Sequence, residues 1–229
     1  MEVIAVFDYS HFPWEPSSEK LFDFMKTNGQ RFTVSKGQRV INTGEEINYI
    51  QCVEKGTLKT MMLSKDGRQR TVSIIQAGGI YGLVPVLLEV KSSPLEIRAC
   101  EDSTICYVTK NQIFEGINGN PILAFAFMDY LSNYAIALVE NFESLWFFPP
   151  RQRFLLFLRN LYSLNHSEYD NWYKAPYILT HQEIADSIGA TREFVTKQFS
   201  DLKNKGMIKV IDRNIYFPED FKSWVESQL

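Results

Sequence analysis

Metal and redox ligands are scarce in this chain of 229 residues, which has three cysteines (Cys52, Cys100, Cys106) and three histidines (His11, His166, His181). The cysteines form no Cys-x-x-Cys pair and have no histidine at metal-ligand spacing, which excludes a disulfide framework and a zinc site of the usual kind. Uninterrupted apolar runs are also missing. The most apolar stretch, 121–139, is broken by Asp129, short of the roughly 18 residues that a membrane helix requires. The first twelve residues, MEVIAVFDYSHF, have no basic region and no small-residue cleavage site, so no secretory leader is expected. Positive charge is not in excess either: 24 Lys and Arg face 27 Asp and Glu, a net charge of −3, which at first sight disfavours a nucleic-acid partner. Apolar material is plentiful, at 45% hydrophobic and 14% aromatic residues, enough to build a core and to exclude a disordered chain. These features predict a soluble, reduced, cytoplasmic protein, away from membranes and without a metal or other cofactor.

Glycine is unevenly spread. Ten of the twelve glycines lie within the first 119 residues, and none occurs from 120 to 188. Between Gly29 and Gly82 they separate short β-branched runs, Arg39-Val-Ile41, Tyr49-Ile-Gln-Cys-Val53 and Thr71-Val-Ser-Ile-Ile75. Regular turn signals between short strands predict a β-barrel or jelly roll. Ser64-Lys-Asp-Gly67 is expected to form one of the tight turns.

The periodicity then changes. Ala124, Phe127, Leu131, Tyr134, Leu138, Asn141 and Leu145 alternate at spacings of three and four, the seam of a heptad helix. Pro121 is tolerated in a first turn and Pro149-Pro150 ends the helix, so 121–148 is read as one helix of roughly 42 Å. Phe125, Met128, Ile136, Val139 and Phe142 lie off the seam. One flank is therefore expected on the barrel and the seam on a second copy, the other reading being a helix buried within its own chain. The division is an effector-sensing barrel over 1–120, a dimerisation helix over 121–148 and a C-terminal domain over 149–229, an α+β fold.

The last fifty residues carry the most specific pattern. Thr180 and Glu183 form a capping box that opens a short helix with Ile184, Ala185 and Ile188 on its packing side. Gly189 supplies a turn, and Thr191 caps a second helix whose buried face is Val195, Phe199 and Leu202. Two short helices joined by a glycine turn are a helix-turn-helix. Ile208-Lys-Val-Ile-Asp-Arg-Asn-Ile-Tyr-Phe217 reads as a two-stranded wing turning at 212–214. In such a motif the start of the second helix faces base edges in the major groove. The candidates are Thr191, Arg192, Glu193, Thr196 and Lys197: arginine offers paired donors to guanine, glutamate accepts from cytosine, and lysine reaches a guanine or a phosphate. Thr180, His181 and Gln182 open the first helix, where amide groups favour a phosphate contact. The alternative for Arg192, Glu193 and Lys197 is a solvated face with a local ion pair.

The order of glycine-rich barrel, heptad helix and winged helix resembles the CRP/FNR transcription regulators over nearly the whole chain. Leu179-Thr-His-Gln-Glu-Ile-Ala185 and Arg192-Glu-Phe-Val-Thr-Lys197 are similar to the recognition segment of the cyclic-AMP receptor protein, with a lysine where a second arginine is usual. Gly44-Glu-Glu46, Val53-Glu-Lys-Gly56 and Ala77-Gly-Gly-Ile-Tyr-Gly82 look like the family barrel. The resemblance implies a non-enzymatic homodimer that binds an inverted repeat with TGTGA-like half-sites, contacts RNA polymerase and answers to a small-molecule effector.

Cyclic-nucleotide-binding members hold the ribose with the glutamate of a Gly-Glu-Leu element and the phosphate with the arginine of an Arg-Ser-Ala element. Here the corresponding residues are Gly82-Leu83-Val84 and Ser93-Pro94-Leu95, so both charged ligands are missing and cyclic AMP is disfavoured. Arg98 is the one replacement at hand, although a barrel arginine more often forms a structural ion pair. No cysteine precedes Cys52, unlike the iron-sulfur members; Cys100 and Cys106 are read as buried apolar residues rather than haem ligands or a redox pair. A partly aromatic effector between barrel and helix, as in members that sense halogenated phenols, would meet Tyr81, Leu83, Leu87, Tyr130, Asn133 and Tyr134. A sensory subunit acting on a protein partner, and a cupin-like enzyme, are the other readings. The enzyme is disfavoured because no histidine occurs between residues 12 and 165. The charge question resolves locally: residues 149–229 hold 11 Lys and Arg against 10 Asp and Glu, and 174–213 hold seven against five. The DNA-facing part is mildly basic, which predicts weak nonspecific affinity.

Overall fold

A computed structural model describes residues 13–14, 17–64, 66, 69–90, 92–164 and 167–229. Two compact units, Trp14–Val139 and Glu140–Leu229, are each taken by themselves.

The first unit begins with helix α1 (Glu19–Asn28), continues through strands β1 (Gln30–Val34), β2 (Arg39–Ile41), β3 (Ile50–Lys55), β4 (Thr57–Leu63), β5 (Gln69–Gln76) and β6 (Ile80–Tyr81), then the short helix α2 (Leu83–Leu88). Strands β7 (Glu96–Ala99) and β8 (Ser103–Val108), helix α3 (Lys110–Gly119) and the long helix α4 (Pro121–Phe147) follow, the part of α4 from Glu140 onward belonging to the second unit. Two antiparallel four-stranded sheets, β1-β8-β3-β6 and β2-β7-β4-β5, make the jelly roll expected from the glycine spacing. Val34, Ile50, Val53 and Ile105 of the first sheet share one apolar core with Ile41, Leu58, Ile75 and Ile97 of the second. Each such side chain contributes about 1.5–3 kcal/mol by leaving water. Gly56 joins β3 to β4 with φ +94°, and a Cβ there would collide with Ser103 Oγ, so only glycine suits this corner. The three runs read as strands fall in β2, β3 and β5. Of the Ser64–Gly67 turn, Lys65 and Gly67 lie outside the described residues. Helices α1, α2 and α3 were not anticipated.

Helix α4 is built on Leu123, Ala126, Phe127 and Tyr130, which belong to the barrel core. This corrects the seam read from the sequence. Phe127 is buried and Tyr134 half-buried, while Leu131, Leu138 and Leu145 are exposed, so burial does not follow that seam evenly. The outward stripe is Phe125, Met128, Ser132, Ala135, Val139, Phe142 and Trp146, all exposed. It keeps the same alternation, displaced by one residue. By length and composition α4 is apolar enough to cross a membrane; Asp129 is exposed on it, and a charge of that kind is costly in lipid.

The second unit contains α5 (Pro150–Ser163), β9 (Ser167–Tyr169), β10 (Trp172–Lys174), α6 (His181–Ile188), α7 (Arg192–Asn204), β11 (Lys209–Ile211), β12 (Asn214–Pro218) and α8 (Phe221–Glu226). Proline at the first position opens α5, where its missing N–H costs nothing. The helix is buried nearly all round through Phe154, Leu155, Leu156, Phe157, Leu158 and Leu161. Phe154 meets Phe199 of α7 edge to face at 5.6 Å, and α8 packs on α5 with Phe221 and Val225 buried. The wing is larger than the two strands expected: the sheet runs β11-β12-β10-β9. The polar stretch after α5 thus contains a hairpin, turning at Asp170 and Asn171 with φ 50° and 60°, which these residue types tolerate.

Among the described residues two charged groups, Glu140 and Arg153, are embedded in this unit. The guanidinium of Arg153 donates to main-chain carbonyls. Its Nε donates to Ile188 O at 2.6 Å, Nη1 to Phe148 O at 2.6 Å and Nη2 to Gly189 O at 3.3 Å. The guanidinium thus serves carbonyls at the C-terminal ends of α4 and α6, where helices leave acceptors unsatisfied and a cation is favoured.

Candidate nucleic-acid interface and effector cavity

The turn of the helix-turn-helix follows from local chemistry. Thr180 Oγ1 accepts from Glu183 N at 3.2 Å, and Glu183 Oε2 accepts from Thr180 N at 2.9 Å. Gly189, at φ 65°, ends α6 in the left-handed conformation, and Thr191 Oγ1 accepts from Phe194 N at 3.2 Å to start α7. Val195, Phe199 and Leu202 form the buried face of α7, with Ile184, Ala185 and Ile188 buried on α6.

The opposite side of α7 exposes Thr191, Arg192, Glu193, Thr196 and Lys197. Among the described residues the side chains of Arg192, Glu193 and Lys197 have no hydrogen bond or ion pair. Glu193 and Lys197 sit one turn apart, yet the local pair that would occupy them is not made. Thr180 and Gln182 are exposed, and Gln182 Nε2 donates to Asp186 Oδ1 at 2.7 Å along its own helix. His181 is held more tightly: Nδ1 lies 2.9 Å from Thr196 Oγ1, and the ring stacks on Phe199 at 4.6 Å. Burial, then the charges of Lys203 and Arg192, lower the His181 pKa from its ordinary value.

The wing turns at Asp212 and Arg213, with φ 48° and 67°, and pairs Ile211 with Asn214. Arg213 is exposed at this tip. The sequence located the turn but did not single out its arginine; a cation in a two-residue loop between β-branched runs was the available signal. Lys209, on β11, lies 3.9 Å from the Trp172 ring, which ties the wing to the second hairpin.

Within the first unit a cavity of about 300 Å³ is lined by Ile47, Thr60, Ile80–Pro85, Val90, Ser93–Leu95, Ile97, Tyr130, Leu131 and Tyr134. It brings together Tyr81, Leu83, Tyr130 and Tyr134 of the expected set and does not include Leu87, Arg98 or Asn133. Leu87 packs on the barrel core, and Asn133 Nδ2 donates to Asp129 O at 3.0 Å within α4. Arg98 Nε donates to Glu96 at 2.9 Å, and Arg39 holds the other oxygen of that buried carboxylate at 3.0 Å. Arg98 is thus the structural ion pair that its barrel position favours.

Three polar groups around the cavity are already occupied. Tyr81 OH donates to Gln51 Oε1 at 2.7 Å, Tyr130 OH to Ile80 O at 2.7 Å and Ser93 Oγ to Leu95 O at 2.8 Å. Burial pushes the Tyr81 phenol well above its ordinary pKa, and no lysine, arginine or histidine stands in the lining. Ile47, Thr60 and Ile97 escaped the sequence reading because nothing distinguishes them from other barrel residues.

Cys106 faces Cys52 across β8 and β3. Both are buried while Cys100 is half-exposed, and burial is the first cause raising the Cys52 and Cys106 thiols. Among the described residues no group of His, Cys, Asp or Glu is placed to hold a metal.

Residues 31–120 match the family profile described as Cyclic nucleotide-binding domain, and residues 152–219 match the Crp-like helix-turn-helix domain. The Anaerobic regulatory protein of Bacillus subtilis (strain 168) is 22% identical over 196 residues, 84% of this chain and 81% of that protein. FixK2 from Bradyrhizobium japonicum superposes with a TM-score of 0.73 at 18% identity, over 87% of this chain and 96% of that one. OCPA-complexed CprK gives 0.68 at 16% identity, over 95% and 97%. A cyclic nucleotide-binding barrel, a long helix and a Crp-like helix-turn-helix in this order identify the chain as a member of the CRP/FNR family of transcription regulators.

Proposed function

We propose that the chain acts in the cytoplasm as a homodimeric, sequence-specific and non-enzymatic regulator. In this reading it binds an inverted repeat with TGTGA-like half-sites and engages RNA polymerase under the control of a small, uncharged, largely apolar or aromatic effector. The observation that carries the DNA-binding part is the outer face of α7: Arg192, Glu193 and Lys197 are exposed and uncommitted on a helix whose inner face is fully packed. In the proposed assignment Arg192 reads a guanine, Glu193 a cytosine, and Thr191, Thr196 and Lys197 complete the contact. Thr180, His181 and Gln182 approach phosphates.

The exposed stripe of α4 supports a second copy as its cover, with 1–120 as sensor, 121–148 as dimerisation helix and 149–229 as DNA-binding domain. Two recognition helices would then meet successive major grooves about 34 Å apart. The cavity supports an effector without negative charge, since no cation lines it to take the place of the phosphate-binding arginine. One CprK structure is described as a complex with o-chlorophenolacetic acid; an aromatic ring fits the present lining, whereas the carboxylate of such a ligand would find no cation here. Binding shifts DNA affinity only insofar as the effector distinguishes two arrangements of the dimer.

Gel-shift titration against a TGTGA-type inverted repeat tests this reading. Arg192→Ala is expected to weaken binding by about 1–3 kcal/mol and to relax preference at one guanine. Unchanged sequence preference in that variant would remove the assignment of α7. A parent protein that retains no DNA at all would favour a sensory subunit acting on a protein partner.

A further inference from the structure

His181 sits where α6 begins, and its hydrogen bonds constrain its proton. Thr196 Oγ1 lies 2.9 Å from Arg192 O and 2.9 Å from His181 Nδ1. The threonine hydroxyl has one hydrogen. If it went to Nδ1, two lone-pair-bearing oxygens would face each other at 2.9 Å with no hydrogen between them. Both contacts are hydrogen bonds only when Thr196 donates to Arg192 O and His181 Nδ1–H donates to Thr196 Oγ1. In the neutral ring Nε2 is then a bare acceptor, and among the described residues it has no partner.

A phosphate oxygen is also an acceptor. A ring locked in this way meets a DNA phosphate through Nε2 only after Nε2 has gained a proton. We infer that docking of α6 on the DNA backbone takes up one proton at His181, so that lower pH tightens DNA binding through this residue. The inference rests on the DNA-binding reading above and adds a regulator to it, the proton.

The surroundings set its direction. From α7, Arg192 and Lys203 act on the ring and disfavour its charged form, together with burial. On α6, Glu183 is turned back to Thr180 and Asp186 is taken by Gln182. From α5, Arg153 is engaged at the far end of α6. The free protein therefore keeps the ring neutral to a lower pH than an ordinary histidine, and a phosphate raises its affinity for the proton in the complex. Affinity is then highest at or below the free-protein pKa and falls as pH rises through the pKa of the complex, by up to about tenfold per pH unit between the two.

The test is fluorescence-anisotropy titration of the full chain with duplexes selected from a randomised library, at constant ionic strength, from about pH 5.5 to about pH 8. His181→Gln keeps a neutral polar group at every pH, and His181→Lys a cation over this range. The expected result is a slope steeper for the parent than for both variants by up to one proton. Calorimetry in buffers of different ionisation heat should show the same uptake, absent from both variants, and nitrogen NMR of the free protein should show the Nδ1–H tautomer. Parallel profiles for parent and His181→Gln on a bound duplex, or an Nε2–H tautomer, would overturn the proton linkage and leave DNA binding standing. Failure of the parent to hold any selected duplex at any pH would overturn the DNA-binding reading and the linkage with it.

Discussion

Replacement of Arg153 by alanine should destabilise the C-terminal unit by about 3–5 kcal/mol. Two carbonyls, Ile188 O and Phe148 O, receive guanidinium hydrogens at 2.6 Å, and Gly189 O a third at 3.3 Å. Hydrogen bonds to a charged group contribute about 1.5–3 kcal/mol each, so the two short ones alone account for roughly 3–6 kcal/mol. The C-terminal dipoles of α4 and α6 add about 0.3–1 kcal/mol apiece. Against this stands the cost of holding a guanidinium out of water, which alanine relieves, although it leaves the carbonyls without a donor. Arg153→Lys keeps the charge but not the fork, and should lose about half as much. Urea unfolding of the full chain followed by tryptophan fluorescence reads the effect, because Trp146, Trp172 and Trp224 all lie in this unit and only Trp14 lies in the other. A loss below about 1 kcal/mol for Arg153→Ala would refute the claim that one side chain closes two helix ends.

Phe142→Glu on the exposed stripe of α4 should turn the proposed dimer into a monomer in light scattering. Loss of two buried phenylalanine faces removes roughly 3–6 kcal/mol of association energy, and an unchanged mass at equal concentration would count against the stripe as the dimer face. In a thermal-shift screen, uncharged aromatic compounds are expected to raise the barrel's melting temperature and cyclic AMP to leave it unchanged. Strong stabilisation by cyclic AMP would mean that the empty positions at Leu83 and Ser93 had been misjudged.

The parts of the fold that repeat a simple rule were legible in the chain. Glycine spacing marked the barrel, and the Thr180–Glu183 box with Gly189 marked the helix-turn-helix, because these signals act through backbone geometry within a few residues. The face of α4 was not. Apolar residues lie on both sides of that helix, so composition does not tell Phe127, which enters the barrel core, from Phe125 or Phe142, which do not. Short elements escaped as well: α2 has six residues and α8 another six, too few to show a period. Arg153 reads as an ordinary surface cation until the chain brings Phe148, Ile188 and Gly189 around it. Membership of the cavity likewise depends on which strand residues face one another, and register rather than residue type excluded Arg98.

The cavity's own hydrogen bonds bear on how finely such a sensor discriminates. Tyr81, Tyr130 and Ser93 have already spent their donors on Gln51, Ile80 and Leu95, so an entering molecule has little polar pairing to gain from these three and leaves none of their donors unmet. Selection then falls to shape and volume, where one methylene changes affinity by only about 10- to 200-fold. On the proposed reading a receptor of this kind would be broadly tuned, responding to a class of compounds of matching size rather than to one member of it. A sharp transcriptional threshold would then have to arise downstream, in the steepness with which the two subunits of the proposed dimer act together on its two half-sites.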